Sequence, residues 1–90
     1  MTFIVKFTRK AFQLAEKLTK RDLEVKQRLN RMVQILQEDP YNLSRQHDIQ
    51  KLTNEPIGAW RIRIGKYRMR YDIEKDIVVI HDVFHRKKGY

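Results

Sequence analysis

The chain has 90 residues, with 20 lysines and arginines against 11 aspartates and glutamates, so its formal net charge is +9. This length supports one domain with a single modest core, which we assign to residues 1–90. The hydrophobic content of 41% is too high for a disordered basic tail, and the lack of cysteine excludes a disulfide framework and a thiolate metal site.

The charges bear on location and partners. Lys6, Arg9 and Lys10 interrupt the apolar start of the chain, so we expect a cytoplasmic protein with no signal peptide and no membrane span. The basic balance favours a polyanionic partner such as RNA, DNA or an acidic protein.

The first half of the chain predicts a strand followed by a helical hairpin. Residues 2–7 are rich in β-branched and aromatic side chains, and Thr8 is a candidate N-cap for a helix over residues 9–19. A second helix is expected to begin near Asp22 and to end before Pro40. Its apolar stripe has helical spacing and consists of Val25, Leu29, Met32, Val33 and Leu36.

The second half predicts three antiparallel strands after a long connection. Residues 40–58 lack sustained periodicity, and only Ile49 and Leu52 are expected to reach the core. Apolar residues then alternate with charged residues, arginines except for Asp72, over residues 60–64 and 67–73, and an apolar strand follows over residues 77–84. We therefore predict an α+β fold in which a two-helix hairpin covers one face of a four-stranded sheet made from the N-terminal strand and a three-stranded antiparallel meander.

Arginines are concentrated on the uncovered face of the predicted hairpin. Side chains alternate along a strand, so Arg61 and Arg63 point the same way, with Arg68 beside them and Arg70 farther along. The planar guanidinium matches phosphate oxygens and stays charged at any working pH, so the cluster suits a phosphodiester. An ordinary solvated strand face is the alternative.

The C-terminal segment adds His85, Arg86 and Tyr90: an imidazole able to exchange protons near neutrality, another guanidinium and a stacking ring. His81 and His85 would lie roughly 13 Å apart on a strand, too far to share a metal ion. Since glycine-rich phosphate loops and nucleophile elbows are also missing from the sequence, we expect neither metal nor cofactor.

The segments KLTNEPIGAWRIRIGKYRMRYDI and VVIHDVFHRKKGY, taken together, resemble the RelE/ParE superfamily of toxins from toxin–antitoxin systems, and its RelE branch in particular. The resemblance implies a RelE-like fold and a ribosome-dependent endoribonuclease that cuts messenger RNA in the decoding A site. It also implies attack by the 2′-hydroxyl on the adjacent phosphorus, which leaves a 2′,3′-cyclic phosphate.

Site residues follow from the same resemblance. Arg61 and Arg63 match basic positions that are commonly lysine, and Arg68 matches an arginine expected to brace the scissile phosphate. Arg86 is expected to stabilise charge at the phosphate or leaving group, His85 to act as general acid or base, and Tyr90 to stack on a base or assist proton transfer. Because arginine does not shuttle protons, the base role moves onto His85.

The resemblance also implies partners: a cognate antitoxin, expected to be acidic and partly disordered, the 70S ribosome with its messenger RNA, and operator DNA only through the antitoxin complex. Two other functions stay open. One is inhibition of DNA gyrase, as in ParE toxins, and the other is a nucleic-acid-binding module without catalysis.

Overall fold

The computed structural model describes residues 2–86 and has two helices on one face of a mixed sheet. In chain order the elements are β1 (Ile4–Phe7), α1 (Arg9–Thr19), α2 (Leu23–Glu38), β2 (Ile49–Lys51), β3 (Trp60–Ile64), β4 (Tyr67–Glu74) and β5 (Ile77–His85). The strand order is β1-β5-β4-β3-β2; β1 is parallel to β5, and the other neighbouring strands are antiparallel. The predicted α+β class is confirmed.

Side-chain caps fix where the helices begin. The Thr8 hydroxyl accepts a hydrogen bond from the backbone N–H of Ala11 at 3.1 Å, and the Asp22 carboxylate accepts from those of Glu24 and Val25. These bonds satisfy N–H groups that have no partner within the helix itself. Both helices therefore start where the sequence predicts.

The core lies between the helices and the covered face of the sheet. Its buried members come from α1, α2, β3, β4 and β5, and they are Ala11, Val25, Leu29, Met32, Ile35, Leu36, Ile62, Met69, Tyr71, Val78, Ile80 and Val83. Four of the five residues of the predicted α2 stripe are in this set, while Val33 is partly exposed and packs against it. The helical periodicity thus identified the buried face of α2.

The predicted strand count was wrong, because the sheet formed by residues 2–86 has five strands rather than four. The additional strand, β2, lies within the connection where no periodicity was found, and it pairs with β3 through Ile49 opposite Ile62. A strand of three residues is too short to show a recognisable alternation in the sequence. It is defined instead by its pairing with the otherwise unpaired edge of β3. Ile49 packs against the core as expected, whereas Leu52 is half-buried outside the core cluster.

The connection after α2 is held by local hydrogen bonds. The Asp39 carboxylate accepts from the backbone N–H groups of Leu43 and Ser44 and from the Ser44 hydroxyl, at 2.7, 3.2 and 2.6 Å. Asn42 exchanges two bonds with the backbone of His47. These contacts determine how the chain enters β2.

Neither α1 nor α2 combines the length and the apolar character that a membrane-crossing helix requires.

Candidate active site on the arginine face

The sheet face away from the helices carries four arginines in two cross-strand rows. Arg63 lies opposite Arg68, and Arg61 lies opposite Arg70. Residues directly opposite on antiparallel strands have Cβ atoms about 4.5–5.5 Å apart. We call this surface, defined by Arg61, Arg63, Arg68 and Arg70, the arginine face.

Asp48, the residue before β2, lies beside Arg63 and so extends the row of Arg63 and Arg68. Its backbone carbonyl accepts from the Arg63 N–H at 3.0 Å, so it continues the β2–β3 ladder by one residue. Its carboxylate accepts from Arg63 Nε at 2.6 Å and from Arg61 Nη2 at 3.3 Å, and Arg61 also donates to Gln50 Oε1 at 3.1 Å. Two of the predicted site arginines are therefore bound to one acidic side chain.

Asp48 is a site residue that sequence reasoning missed. The alternation of Asp48 and Gln50 carries the signal, but it is readable only once β2 is known to pair with β3. Burial tends to raise the pKa of Asp48, but the hydrogen bond from Arg63 and the charges of Arg61 and Arg63 outweigh it and hold that pKa below the ordinary value of 3.8. The carboxylate is thus ionised near neutral pH.

Arg68 has a different environment from its neighbours. Within residues 2–86 its side chain forms no hydrogen bond or ion pair. Burial, followed by the positive charges of Arg63, Arg61 and Arg86, lowers the pKa of Arg68. A guanidinium held among like charges favours an incoming anion.

Arg70 belongs to the structural framework. Its Nε donates to the Gly58 carbonyl at 3.0 Å, and its Nη2 donates to the Ile57 carbonyl at 3.1 Å and lies 3.0 Å from Glu55 Oε2. Only 17% of the Arg70 side chain is exposed. This arginine anchors the turn that precedes β3.

Asp72 holds the same turn from β4. Its carboxylate accepts from the backbone N–H groups of Gly58 and Ala59 at 2.8 and 2.9 Å, and it lies 3.1 Å from Nε2 of His81. Gly58 has a positive φ of 66°, a conformation that glycine adopts without a steric penalty. Across residues 2–86, no three acidic or histidine side chains come together as a metal site would require.

The structure does not bring His85 onto the arginine face. His85 lies opposite Tyr67, in the row that also contains Ile64, and alternation places that row on the helix side of the sheet. Its ring makes an edge contact with Tyr67 at 5.0 Å between centroids. Phe84, opposite Arg68, takes the corresponding place on the arginine face.

A β-bulge in β5 is the reason that Phe84, and not His85, lies on the arginine face. Arg70 pairs with Asp82 while the next residue, Tyr71, pairs with Ile80, so His81 is an extra residue in β5. One extra residue reverses the facing of every side chain beyond it. Without the bulge His85 would share the face of Val79, which is the arginine face.

The remaining predicted residues lie at or beyond the end of β5. The backbone N–H of Arg86 donates to the Lys66 carbonyl at 2.7 Å, and its charge acts on Arg68. Tyr90 lies outside the described residues. The arrangement therefore offers an anion site centred on Arg68 with Arg61, Arg63 and Arg86 around it, while the imidazole of His85 lies at the same end of the sheet on the opposite face.

A family model and the similar solved structures all concern toxin–antitoxin systems. The model of the ParE toxin of type II toxin–antitoxin systems matches residues 5–90. The RelBE2 toxin–antitoxin complex of Mycobacterium tuberculosis contains a similar chain, 28% identical with a TM-score of 0.70, and the match covers 96% of this chain and 100% of that one. No curated protein sequence matches significantly.

Two archaeal complexes share the fold. A chain of the RelE–RelB complex from Pyrococcus horikoshii OT3 is 22% identical with a TM-score of 0.71, covering 99% of this chain and 100% of that one. A chain of the RelB–RelE complex from Methanococcus jannaschii is 22% identical with a TM-score of 0.65, covering 90% and 89%. With the family match over nearly its whole length, the chain belongs to the ParE toxin family, within the RelE/ParE superfamily of type II toxin–antitoxin toxins.

Proposed function

We propose that this toxin is an endoribonuclease that cuts messenger RNA on the ribosome and so stops translation. The observation that carries the proposal is Arg68, a guanidinium without an ion pair in residues 2–86, surrounded by three further arginine charges. Phe84 lies directly across from it. A guanidinium for phosphate beside an aromatic ring for a base is a combination used to recognise single-stranded RNA.

The nucleophile and the leaving group of the proposed reaction both belong to the RNA, so the reaction consumes no water or other co-reactant. A base removes the proton of the 2′-hydroxyl, O2′ attacks phosphorus, and the bond from phosphorus to the 5′-oxygen breaks as that oxygen takes up a proton. The products are a 2′,3′-cyclic phosphate and a 5′-hydroxyl. Arg68 and Arg86 stabilise the extra negative charge on the pentacoordinate phosphate, a kind of contribution worth roughly 10²–10³ in rate per donor.

Proton transfer falls to His85 in this proposal, since guanidinium groups keep their protons. The His85 row and the Arg68 row are adjacent and lie at the same end of the sheet, next to the β3–β4 turn. Because the imidazole is on the opposite face, RNA would have to wrap around this end of the sheet to reach both the arginine face and His85. Tyr90 stays a prediction as the stacking or proton-transfer residue.

Solved relatives support the partner assignment. The similar chains come from RelE–RelB and RelBE2 complexes, in which the toxin is bound to its antitoxin. For a protein of net charge +9 we propose an acidic, partly disordered antitoxin that folds on binding. In the cytoplasm the complex contacts operator DNA through the antitoxin, and the released toxin acts on the ribosome.

Inhibition of DNA gyrase is the second candidate. The match to the ParE family model favours it, as does the position of His85 away from the arginine face. A gyrase inhibitor requires a protein-binding surface and no proton transfer. The two candidates therefore differ in whether messenger RNA is cut.

The deciding experiment compares three forms of the toxin: wild type, Arg68→Gln and Arg31→Gln. Arg31 is an exposed residue of α2, so this control removes the same charge on the helix side. We expect wild type and Arg31→Gln to cut ribosome-bound messenger within codons, leaving cyclic phosphate ends, and Arg68→Gln to be slower by about 10²-fold or more. Intact messenger with gyrase-trapped DNA breaks supports the second candidate, and RNA binding without cleavage supports a silent module.

A further inference from the structure

Asp48 binds the guanidinium groups that the proposed reaction would direct at RNA. It is the sole carboxylate paired with Arg61 or Arg63 in the part of the chain that the structure describes. Because β2 and β4 flank β3 on opposite sides, the pairing draws the Arg63 guanidinium toward β2 and away from Arg68. Within residues 2–86, the anion site is thus divided between two arginines bound to Asp48 and one arginine, Arg68, that has no ion pair there.

The contacts of Asp48 use donors that a phosphate would use. Carboxylate and phosphodiester oxygens both accept hydrogen bonds from a guanidinium fork. The Asp48 side chain is 40% exposed and that of Arg63 is 44% exposed, so water and solutes reach this pair. Exposed ion pairs contribute little net free energy and exchange partners readily.

We propose that Asp48 is a positioning residue that occupies Arg61 and Arg63 until an RNA phosphate displaces it, so that it sets the RNA affinity of the arginine face. RNA is the anion here because of the proposed function, but the competition concerns binding and does not depend on cleavage. Arg68 takes a phosphate first, and Arg63 turns to a neighbouring phosphate only when it leaves Asp48. The acidic side chain therefore weakens the binding of short RNA and keeps Arg61 and Arg63 ordered in its absence.

The test measures binding of a fluorescent single-stranded RNA whose 2′-hydroxyls are all methylated, so that it cannot be cut. Asp48→Asn keeps the side-chain shape and an oxygen that can accept from Arg63, so the fold is retained. We expect this variant to bind the RNA about two- to tenfold more tightly than wild type at low salt. The plot of log affinity against log salt should steepen by up to about 0.7, the value for one additional phosphate contact on a single strand.

The matched control is Asp76→Asn, which makes the same charge change in the β4–β5 turn. That turn is roughly 23 Å from Arg68 along β4, at about 3.3 Å per residue, so affinity and slope should stay near wild type. In an Arg63→Gln background, Asp48→Asn should also lose most of its effect, because the main donor is gone.

The outcomes separate this inference from the proposed function. Tighter, more salt-sensitive binding by Asp48→Asn alone supports the inference even if the toxin never cuts RNA. If Asp48→Asn and Asp76→Asn change the RNA affinity equally, the change reflects only net charge, and the inference about Asp48 is overturned. Unchanged binding, or no binding by any form, overturns it as well, whether or not ribosome-bound messenger is cleaved.

Discussion

Arg68 and Arg70 lie two residues apart on the same strand and face, yet replacing each with glutamine should have opposite consequences. Arg70 makes hydrogen bonds to the carbonyls of Ile57 and Gly58 and an ion pair with Glu55, while Arg68 forms no such contact within residues 2–86. The pair has the same residue type, the same charge and nearly the same location. Any difference between the two variants therefore reports what each guanidinium touches.

For Arg70→Gln we expect a large loss of stability. Hydrogen bonds from a charged donor contribute about 1.5–3 kcal/mol each, but the freed carbonyls of this turn can partly recover bonds to water. A loss of about 2–4 kcal/mol follows. At about 4–8 °C per kcal/mol for a domain of this size, Tm should fall by roughly 8–32 °C.

For Arg68→Gln we expect unfolding free energy within about 0.5 kcal/mol of wild type. The change should be toward greater stability, because burial and the charges of Arg63, Arg61 and Arg86 disfavour the charged form of Arg68. Salt should reduce this gain as it screens the repulsion. Under the proposed function, cleavage by Arg68→Gln falls by about 10²–10³-fold, whereas Arg70→Gln keeps near wild-type cleavage well below its Tm.

Thermal and urea unfolding give the stabilities, and cleavage of ribosome-bound messenger gives the activities. A less stable Arg68→Gln variant would contradict these roles, since the Arg68 guanidinium would then have a structural partner. The roles are also contradicted if folded Arg70→Gln has lost cleavage while Arg68→Gln retains it. In that case the anion site would be centred one row away.

Acid should destabilise the fold through two aspartates. Burial raises the pKa values of Asp39 and Asp48, but hydrogen bonds and nearby positive charges outweigh burial and hold both values below the ordinary 3.8. The stability that the two ionised carboxylates contribute is therefore complete above pH 3.8 and is lost as the pH falls through the lowered values. Urea unfolding between pH 6 and about pH 2 should show this decline, and Asp48→Asn should flatten part of it; an unchanged profile would contradict the assignment. In Tyr71→Phe the buried hydroxyl that donates to the Pro40 carbonyl at 2.8 Å is lost, and the unpaired carbonyl should cost about 1–3 kcal/mol by the same assay. Burial and the Asp39 charge raise the pKa of Tyr71, so its hydroxyl remains a donor at neutral pH, and an unaffected Tyr71→Phe would mean that water replaces this bond.

Much of the fold could be predicted because its signals are local. Thr8 and Asp22 are short polar residues before apolar stripes of helical period, and Pro40 stops the second helix, so the limits of both helices follow from neighbouring residues. The alternation of arginine with apolar residues around Gly65 likewise predicts the β3–β4 hairpin and its arginine face. These patterns do not depend on where distant segments lie.

The candidate site was only partly predictable, because the surroundings of its arginines depend on distant pairing. Arg61, Arg63, Arg68 and Arg70 look equivalent in the sequence, but separate contacts with Asp48 and with the turn before β3 give them different roles. β2 was missed because three residues carry no period, and Asp48 was missed with it. Family resemblance supplied the roles expected of His85, Arg86 and Tyr90, and these stay predictions.

Composition and short-range periodicity specify a basic α+β protein with one apolar and one arginine-rich sheet face, because each of these signals lies within a few neighbouring residues. The RelE/ParE superfamily was indicated by the resemblance of two segments. The pairing of distant segments determines which arginines have an acidic partner and which side chain of β5 lies beside Arg68 on the arginine face. His81 is the extra residue of the bulge in β5, and because of it Phe84 lies opposite Arg68 on the arginine face while His85 lies opposite Tyr67 on the helix side. A bulge forms between two paired strands, so the sequence of β5 alone could not reveal it.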